Sequence, residues 1–152
     1  MSADVKLRAA TADDVARLTD LVDAAYGHYV ERIGGRPRPI TDDYTDVVQT
    51  KRVTVAERDG EIVGVVVLEV SDQQFTVDNV AVDPAHRGTG VGRALLRHAE
   101  AAARDAGRDA IYLYTHELMT ENLALYSRIG YVELARRQHG PARLVYLRKP
   151  LS

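Results

Sequence analysis

Apolar residues recur at helical spacing near the start of the chain. Between Val15 and Ala25 they fall at three- and four-residue steps, which predicts an amphipathic helix with one packed face. Thr11 supplies a capping hydroxyl and acidic residues follow it, so the helix is expected to begin there and to end near Tyr26. A short strand is predicted before it, over Val5–Ala9.

The pattern then changes to extended segments rich in branched aliphatic residues. Val53–Arg58 and Glu61–Val70 are separated by Asp59-Gly60, a pair that favours the positive φ values of a tight hairpin turn. The second segment is apolar without alternation, which is typical of a central strand covered on both faces. The two segments are therefore predicted to pair as antiparallel strands.

The next predicted strand, Phe75–Val82, contains a change of parity. Its apolar side chains occupy odd positions before Asp78 and even positions after Asn79. An inserted residue, a β-bulge, produces such a change, and so does a strand that buries both faces. The pattern favours neither explanation over the other.

The rest of the chain continues to mix helical and extended patterns. The remaining predicted elements are a loop at Gly34–Pro39, a helix around Thr41–Val48, a helix from Val91 closed by Gly107, a strand at Ala110–His116, a short helix burying Leu118, Leu125 and Ile129, and a hairpin of Tyr131–Arg137 with Ala142–Arg148. The strand, helix and strand between Phe75 and His116 predict a crossover that joins parallel strands. We expect one mixed α+β domain over residues 1–152.

Composition narrows the classes of partner. The chain has 20 Lys and Arg against 22 Asp and Glu, a net charge of −2, so neither a nucleic-acid nor a membrane surface is expected. The lack of cysteine excludes thiolate metal sites and cysteine nucleophiles, and we expect no metal cofactor. With no apolar leader or spanning segment in the sequence, the cytoplasm is the expected location.

A glycine-rich loop, Arg87–Gly92, follows a predicted strand and opens a predicted helix. Unpaired backbone N–H groups and the positive end of the helix dipole converge at such a junction, which favours a phosphate ligand. The spacing does not match the dinucleotide fingerprint, and the Gly-Lys-Ser/Thr of a P-loop is absent. A glycine-rich helix start without a ligand is the alternative.

The form that does fit is Arg-x-x-Gly-x-Gly, at Arg87, Gly90 and Gly92. With its flanking strand and helix, this segment resembles the cofactor signature of the GNAT superfamily of N-acetyltransferases. A second segment is similar to the family's Asn-x-x-Ala-x-x-x-Tyr-x-x-x-Gly-Phe/Tyr motif. Its matched positions are Asn122, Tyr126, Gly130 and Tyr131, although Tyr126 follows Ala124 by two residues and not four.

The resemblance implies a twisted mixed sheet of six to seven strands, flanked by about four helices, with splayed central parallel strands. It implies acetyl-CoA as cosubstrate, a primary amine as acceptor, direct transfer, and a homodimer as one possible assembly. The implied cofactor-binding residues are Val80, Ala81, Val82, Arg87, Gly88, Thr89, Gly90, Val91, Gly92, Arg93, Asn122 and Tyr126. A non-catalytic acyl-CoA-binding or sensor module on the same scaffold is the alternative.

Catalytic roles follow from the same resemblance. Tyr126 is the implied general acid, because a tyrosine can give a proton to the departing thiolate. Asp78 is the first candidate for a general base acting through water, with His116 and Glu117 as rivals. An ordinary solvated surface residue is the alternative for each of these three.

Acceptor specificity in such proteins lies mostly in the first two helices. The candidate residues there are Tyr26, His28, Tyr29, Arg32 and Tyr44 with the Gly34–Pro39 loop, and His116 is a further candidate. The tyrosines either line a pocket or pack in the core. Asp42, Asp43 and Asp46 either attract a cationic amine or start a helix. The sequence alone does not name the acceptor.

Overall fold

Seven strands form one mixed sheet in the computed structural model, which describes residues 4–151. The strands are β1 (Lys6–Ala9), β2 (Arg52–Arg58), β3 (Glu61–Val70), β4 (Phe75–Val82), β5 (Ala110–His116), β6 (Val132–His139) and β7 (Ala142–Pro150). Their spatial order is β1-β2-β3-β4-β5-β7-β6, and every neighbouring pair is antiparallel except β4 with β5. The predicted mixed sheet and its parallel crossover are confirmed.

Helices cover both faces of this sheet. They are α1 (Val15–Ile33), α2 (Arg38–Thr41), α3 (Tyr44–Thr50), α4 (Val91–Asp105) and α5 (Thr120–Arg128). One core cluster joins α4 to a face of the sheet, and a second joins α1 and α3 to the opposite face. β3 contributes buried side chains to both clusters, as its unbroken apolar run predicted.

Two predicted boundaries in the first third of the chain are wrong. α1 continues past Tyr26 to Ile33, because Tyr29 is buried and extends the packed stripe, and the helix ends at left-handed Gly34 (φ 74°). Part of the predicted loop is helical. Pro39 lies in the first turn of α2, where backbone N–H groups make no hydrogen bond within the helix, so proline is tolerated there.

The predicted buried side of the short helix is also partly wrong. Leu118 is 41% exposed, because it lies in the turn before α5 and not on the helix. The neighbouring Met119 is 4% exposed and packs into the core in its place. Within α5 itself, Tyr126 is the buried residue.

The parity change in β4 is a β-bulge. Val67 pairs with Asn79 and the next residue, Leu68, pairs with Val77, so Asp78 is left without a partner on β3. β4 and β5 pair only at Thr76 with Tyr112 and at Val77 with Leu113. The two parallel strands therefore separate directly after the bulge, and the edge of β4 beyond it is open.

Gly64 lets α4 pack closely on β3. A Cβ atom at this position would lie 2.8 Å from Val91 Cγ1 and 2.9 Å from Leu95 Cδ1, distances that real contacts do not reach. Both neighbours belong to the first turns of α4. The absence of a side chain at Gly64 thus sets the position of α4 and of the glycine loop that leads into it.

We predict that Gly64→Ala lowers the free energy of unfolding by about 1–3 kcal/mol, because a well-packed core must shift to admit the methyl group. Gly27→Ala is the matched control. Gly27 is exposed within α1 and a Cβ there meets nothing within 4 Å, so this variant should gain about 0.5–1 kcal/mol from the higher helix propensity of alanine. Urea denaturation measures both, and an unchanged Gly64→Ala would contradict the packing account.

Candidate active site

A cavity of about 590 Å³ opens where β4 and β5 separate. Its walls come from the end of α1 and the loop behind it, from both diverging strands, from α5, and from the β6–β7 hairpin. Val80, Asn122 and Tyr126 line it together with Asp78 and His116. Site residues predicted from segments far apart in the sequence therefore meet at one cleft.

A buried hydrogen-bond network fixes the strand beyond the bulge. Asn79 is 5% exposed, and its Oδ1 lies 2.7 Å from the Tyr26 hydroxyl, which also lies 3.0 Å from the carbonyl oxygen of Val80. Asn79 Nδ2 donates to the Tyr44 hydroxyl at 3.2 Å, and that hydroxyl donates to the Pro39 carbonyl at 2.7 Å. The network joins β4 to α1, α2 and α3 around the cavity.

Asp78, the bulged residue, is 8% exposed and holds two cations. Lys51 Nζ donates to Asp78 Oδ2 at 3.0 Å, and Arg38 Nη1 lies 3.5 Å from the same oxygen. Arg38 Nη2 donates to the Asp78 carbonyl at 2.8 Å, and Arg38 also pairs with Asp42. The bulge is thus fixed through both its side chain and its backbone.

Tyr126 presents a protonated hydroxyl to the cavity. Its side chain is 5% exposed, and burial raises its pKa above the ordinary tyrosine value, with a smaller contribution from Tyr29. The ring of Tyr131 packs edge-on at a centroid distance of 5.8 Å. Within residues 4–151 the Tyr126 hydroxyl makes no hydrogen bond, so it is free to donate to a molecule in the cavity.

The glycine loop leaves its backbone donors open. Gly88 and Gly90 adopt left-handed φ values of 75° and 89°, and the first helical hydrogen bond runs from the Ala94 N–H to the Gly90 carbonyl at 3.0 Å. The N–H groups of residues 88–93 precede that bond. A Cβ on Gly88 would meet nothing within 4 Å, so the backbone there faces open space.

Side chains around this loop form hydrogen bonds that hold it in place. Arg87 Nη2 donates to the Ala25 carbonyl of α1 at 2.8 Å, and Thr89 Oγ1 donates to the His86 carbonyl at 2.6 Å. Arg93 is exposed on the first turn of α4, where Val91 is buried. Of the β4 residues next to the loop, Ala81 and Val82 pack in the two core clusters and Val80 reaches the cavity.

The predicted acceptor residues fall into two groups. Tyr26 and His116 line the cavity, whereas Tyr44 and Tyr29 are core residues and His28 lies outside, with its ring 3.9 Å from that of Tyr29. Tyr44 still reaches the cavity indirectly, through its hydrogen bond with Asn79. α1 therefore lines the cavity through Tyr26, whereas α3 supports it from behind through Tyr44.

The Gly34–Pro39 segment lines the cavity, Arg38 included, whereas Arg32 pairs with Glu121 and is not part of the lining. Tyr114 and Tyr146 were not predicted as cavity residues; they form a tilted pair across β5 and β7 at a centroid distance of 5.6 Å. His139 Nε2 lies 2.8 Å from the Tyr146 hydroxyl. Tyr112, Tyr114 and His116 alternate along β5, and this pattern could have indicated one wall of the cavity. The pairing of β5 with β7, which brings Tyr146 beside Tyr114, could not be predicted from the sequence.

The profile described as "Acetyltransferase (GNAT) domain" matches residues 49–133, more than half of the chain. The chain belongs to the GNAT acetyltransferase family. The IAA acetyltransferase of Azospirillum brasilense is 33% identical over 104 residues, which cover 66% of this chain and 68% of the relative. The streptothricin acetyltransferase of Streptomyces lavendulae is 33% identical over 75 residues, or 48% of this chain, which spans only 40% of that relative.

Solved acetyltransferases share the architecture of this GNAT domain. The PaiA N-acetyltransferase of Thermoplasma acidophilum, solved in complex with coenzyme A, has a TM-score of 0.83 at 14% identity over 97% of this chain and 99% of that chain. The IAA acetyltransferase of Bacillus cereus has a TM-score of 0.72 at 22% identity over 97% and 100%. These likenesses confirm the predicted GNAT fold.

Two further features of the described chain bear on its partners. No cluster of three or more acidic or histidine side chains in residues 4–151 is arranged to hold a metal ion. In the same range, no helix has the length and apolar character needed to cross a membrane.

Proposed function

We propose that this GNAT domain transfers an acetyl group from acetyl-CoA directly to a primary amine, with Tyr126 as general acid. The observation that carries the proposal is the cavity at the β4–β5 split, which is lined at once by Tyr126, Asn122 and Val80. Membership of the family supports the class of reaction. The relatives named as acetyltransferases act on different acceptors, so the acceptor has to be argued from this chain alone.

The residues present fit a CoA-type cosubstrate. The open N–H groups of Gly88–Arg93 and the positive end of α4 suit its pyrophosphate, and glycine at position 88 leaves room for close approach. Asn122 and Tyr126 lie four residues apart on α5 and line one cavity, which suits the pantetheine arm. When bound, acetyl-CoA supplies a thioester carbonyl that an amine can attack.

Direct transfer requires three roles from this chain. A backbone N–H on the open edge of β4, within Val80 to Val82, stabilises negative charge on the carbonyl oxygen. Asp78 takes, through water, the proton that the amine loses as the C–N bond forms. Tyr126 gives its proton to the sulfur as the C–S bond breaks, and its raised pKa keeps that proton in place until then.

Asp78 is itself paired through Oδ2 with Lys51 and Arg38, so the choice among the three candidate bases rests on which of them has an acceptor atom at the cavity. The Leu118 N–H donates to Nδ1 of His116 at 3.1 Å, so the neutral ring carries its proton on Nε2 and has no free acceptor nitrogen. Glu117 pairs with Arg136 at 3.2 Å and Arg143 at 3.4 Å, and it does not line the cavity. Asp78 is the one carboxylate among the described lining residues.

Gly88→Ala should weaken acetyl-CoA binding by about 10-fold, because the added methyl group stands where the backbone must approach phosphate. Gly107→Ala is the matched control, since its φ of 76° almost equals the 75° of Gly88 and it lies at the far end of α4. Both variants should lose about 1–2 kcal/mol of stability from the left-handed backbone. Calorimetric titration separates them, and equal affinities would remove the loop from the cosubstrate site.

Tyr126→Phe should lower kcat by about 100-fold while leaving acetyl-CoA affinity unchanged, because only a proton donor is lost. The control is Tyr131→Phe, whose buried hydroxyl has no hydrogen-bond partner within residues 4–151 and does not line the cavity. Thiol release and product mass measure turnover. Full activity in Tyr126→Phe would exclude its acid role, and binding without turnover in the wild-type protein would support a non-catalytic module.

Asp78→Asn should lower kcat/KM by about 100-fold near pH 7, because proton removal from the incoming amine is lost. The deficit should shrink as the pH rises toward the pKa of the acceptor, where the amine arrives already neutral. Glu117→Gln is the control, a carboxylate outside the cavity lining. A pH–rate profile with a deficit constant across pH would assign Asp78 a structural role in holding Lys51 and Arg38.

A further inference from the structure

The cavity has no uncompensated negative charge to offer an acceptor. The charged side chains that line it are Arg36, Arg38 and Asp78. Asp78 is already contacted by Lys51 at 3.0 Å and Arg38 at 3.5 Å. An acceptor with several ammonium groups would have to leave water for a wall without a free carboxylate, which costs free energy.

The acidic residues near the cavity are likewise engaged in local structure. Asp42 pairs with Arg38, and Asp43 caps α3 by accepting from the Thr45 N–H at 3.0 Å. Asp46 is exposed in the first turn of α3. None of the three lines the cavity, so the suggestion that they attract a cationic amine gains no support from their positions.

Arg38 has donors to spare on the wall of the cavity. A guanidinium has five N–H groups; in Arg38, Nη1 faces Asp42 and Asp78, and Nη2 donates to the Asp78 carbonyl. Nε is buried without a hydrogen-bond partner in the described chain, and Nη2 has a second N–H besides the one given to the Asp78 carbonyl. A guanidinium with an N–H left over binds a carboxylate through a charge-assisted hydrogen bond.

Apolar and aromatic side chains line much of the cavity, together with the side chains of two histidines, two asparagines and a threonine. Tyr114 lies beside Arg38, with the guanidinium carbon 6.0 Å from its ring centroid, and Tyr146 packs against Tyr114. Leu144 and Ile33 line the same cavity from the hairpin and from the end of α1. Such a surface buries an apolar or aromatic group and offers little to a strongly hydrated one.

Resting on the acetyl transfer proposed above, we infer that the acceptor is an apolar or aromatic amino acid, or a small amino carboxylate of the same chemistry. Its carboxylate binds at Arg38, its side chain packs against Tyr114, Tyr146 and Leu144, and its amine faces Asp78. Arg38 is then the residue that selects acceptors by charge. The Arg38 side chain is 37% exposed and lines the cavity.

The test is a matched acceptor series with the wild-type protein and acetyl-CoA, read by product mass and thiol release. The panel holds the natural amino acids, the amide of each apolar and aromatic one, phenethylamine, spermidine and an aminoglycoside. For apolar or aromatic amino acids, kcat/KM should be at least about 10-fold higher than for their own amides. This ratio corresponds to the free energy of one charge-assisted hydrogen bond, which the amide cannot make. Preference for an amide, for phenethylamine or for a polycation would overturn the inference and leave acetyl transfer standing.

Failure of the proposed function has a different signature. If no member of the panel is acetylated although acetyl-CoA binds, the N-acetyltransferase proposal fails and the inference fails with it. If any amine is acetylated, only the acceptor class is at issue.

Arg38→Gln separates recognition from structure. Both acceptors should lose activity because the bulge loses a hydrogen bond, but kcat/KM for the preferred amino acid should fall about 10-fold further than that for its amide, which removes the discrimination between them. Loss of activity toward both acceptors in equal proportion would mean that Arg38 only holds the bulge. Arg97→Gln, an exposed arginine on α4 on the other face of the sheet, is the control and should keep the wild-type ratio.

Discussion

The extra residue in β4 is the constraint on which the site depends. Because Asp78 has no partner on β3, β4 bends there and leaves β5 after only two residue pairs. The open edge that results exposes backbone N–H groups in the middle of a sheet, where they would otherwise be paired. A single inserted residue thus produces both the cleft and the donors that face it.

Such a bulge places polar groups in the core, and the structure satisfies them with side chains from three helices. Asn79 is bonded by Tyr26 and Tyr44, while the carboxylate and carbonyl of Asp78 are held by Lys51 and Arg38. Buried polar groups with partners specify one geometry, whereas unpaired ones destabilise the fold. The helices on this side of the cavity therefore also stabilise the bent strand.

The segments predicted to bind the donor are local in sequence. The glycine loop, the helix it opens and the pair Asn122 and Tyr126 each lie within one segment, so their resemblance to the GNAT motifs could be recognised from the sequence. The bulge was also visible as a change of parity, though only the register with β3 showed that it was real. The aromatic wall was not predictable, because Tyr114 and Tyr146 meet only through pairing of β5 with β7.

Arg38 shows a different limit of sequence. The two glycines and two prolines around it read as a loop, and an isolated arginine in an arginine-rich chain carries no signal by itself. Its role follows from its position in the fold. The single turn of α2 places Arg38 so that it donates a hydrogen bond to the carbonyl of Asp78, the bulged residue of β4. Charge compensation at Asp78 is likewise a property of the folded cluster and not of any one segment.

The family match covers only one part of the site. The matched residues 49–133 contain the bulge, the glycine loop and Tyr126, but they end before the β6–β7 turn and begin after α1 and α2. The walls at residues 33–39 and 139–146 thus lie outside the part of the chain that defines the family. The family match therefore covers the glycine loop and the bulge, whereas two walls of the cavity come from segments outside it. In this chain those outside segments supply Arg38 and Tyr146, which meet Tyr114 and the compensated carboxylate of Asp78 from the matched region, and the acceptor class inferred above rests on that combination.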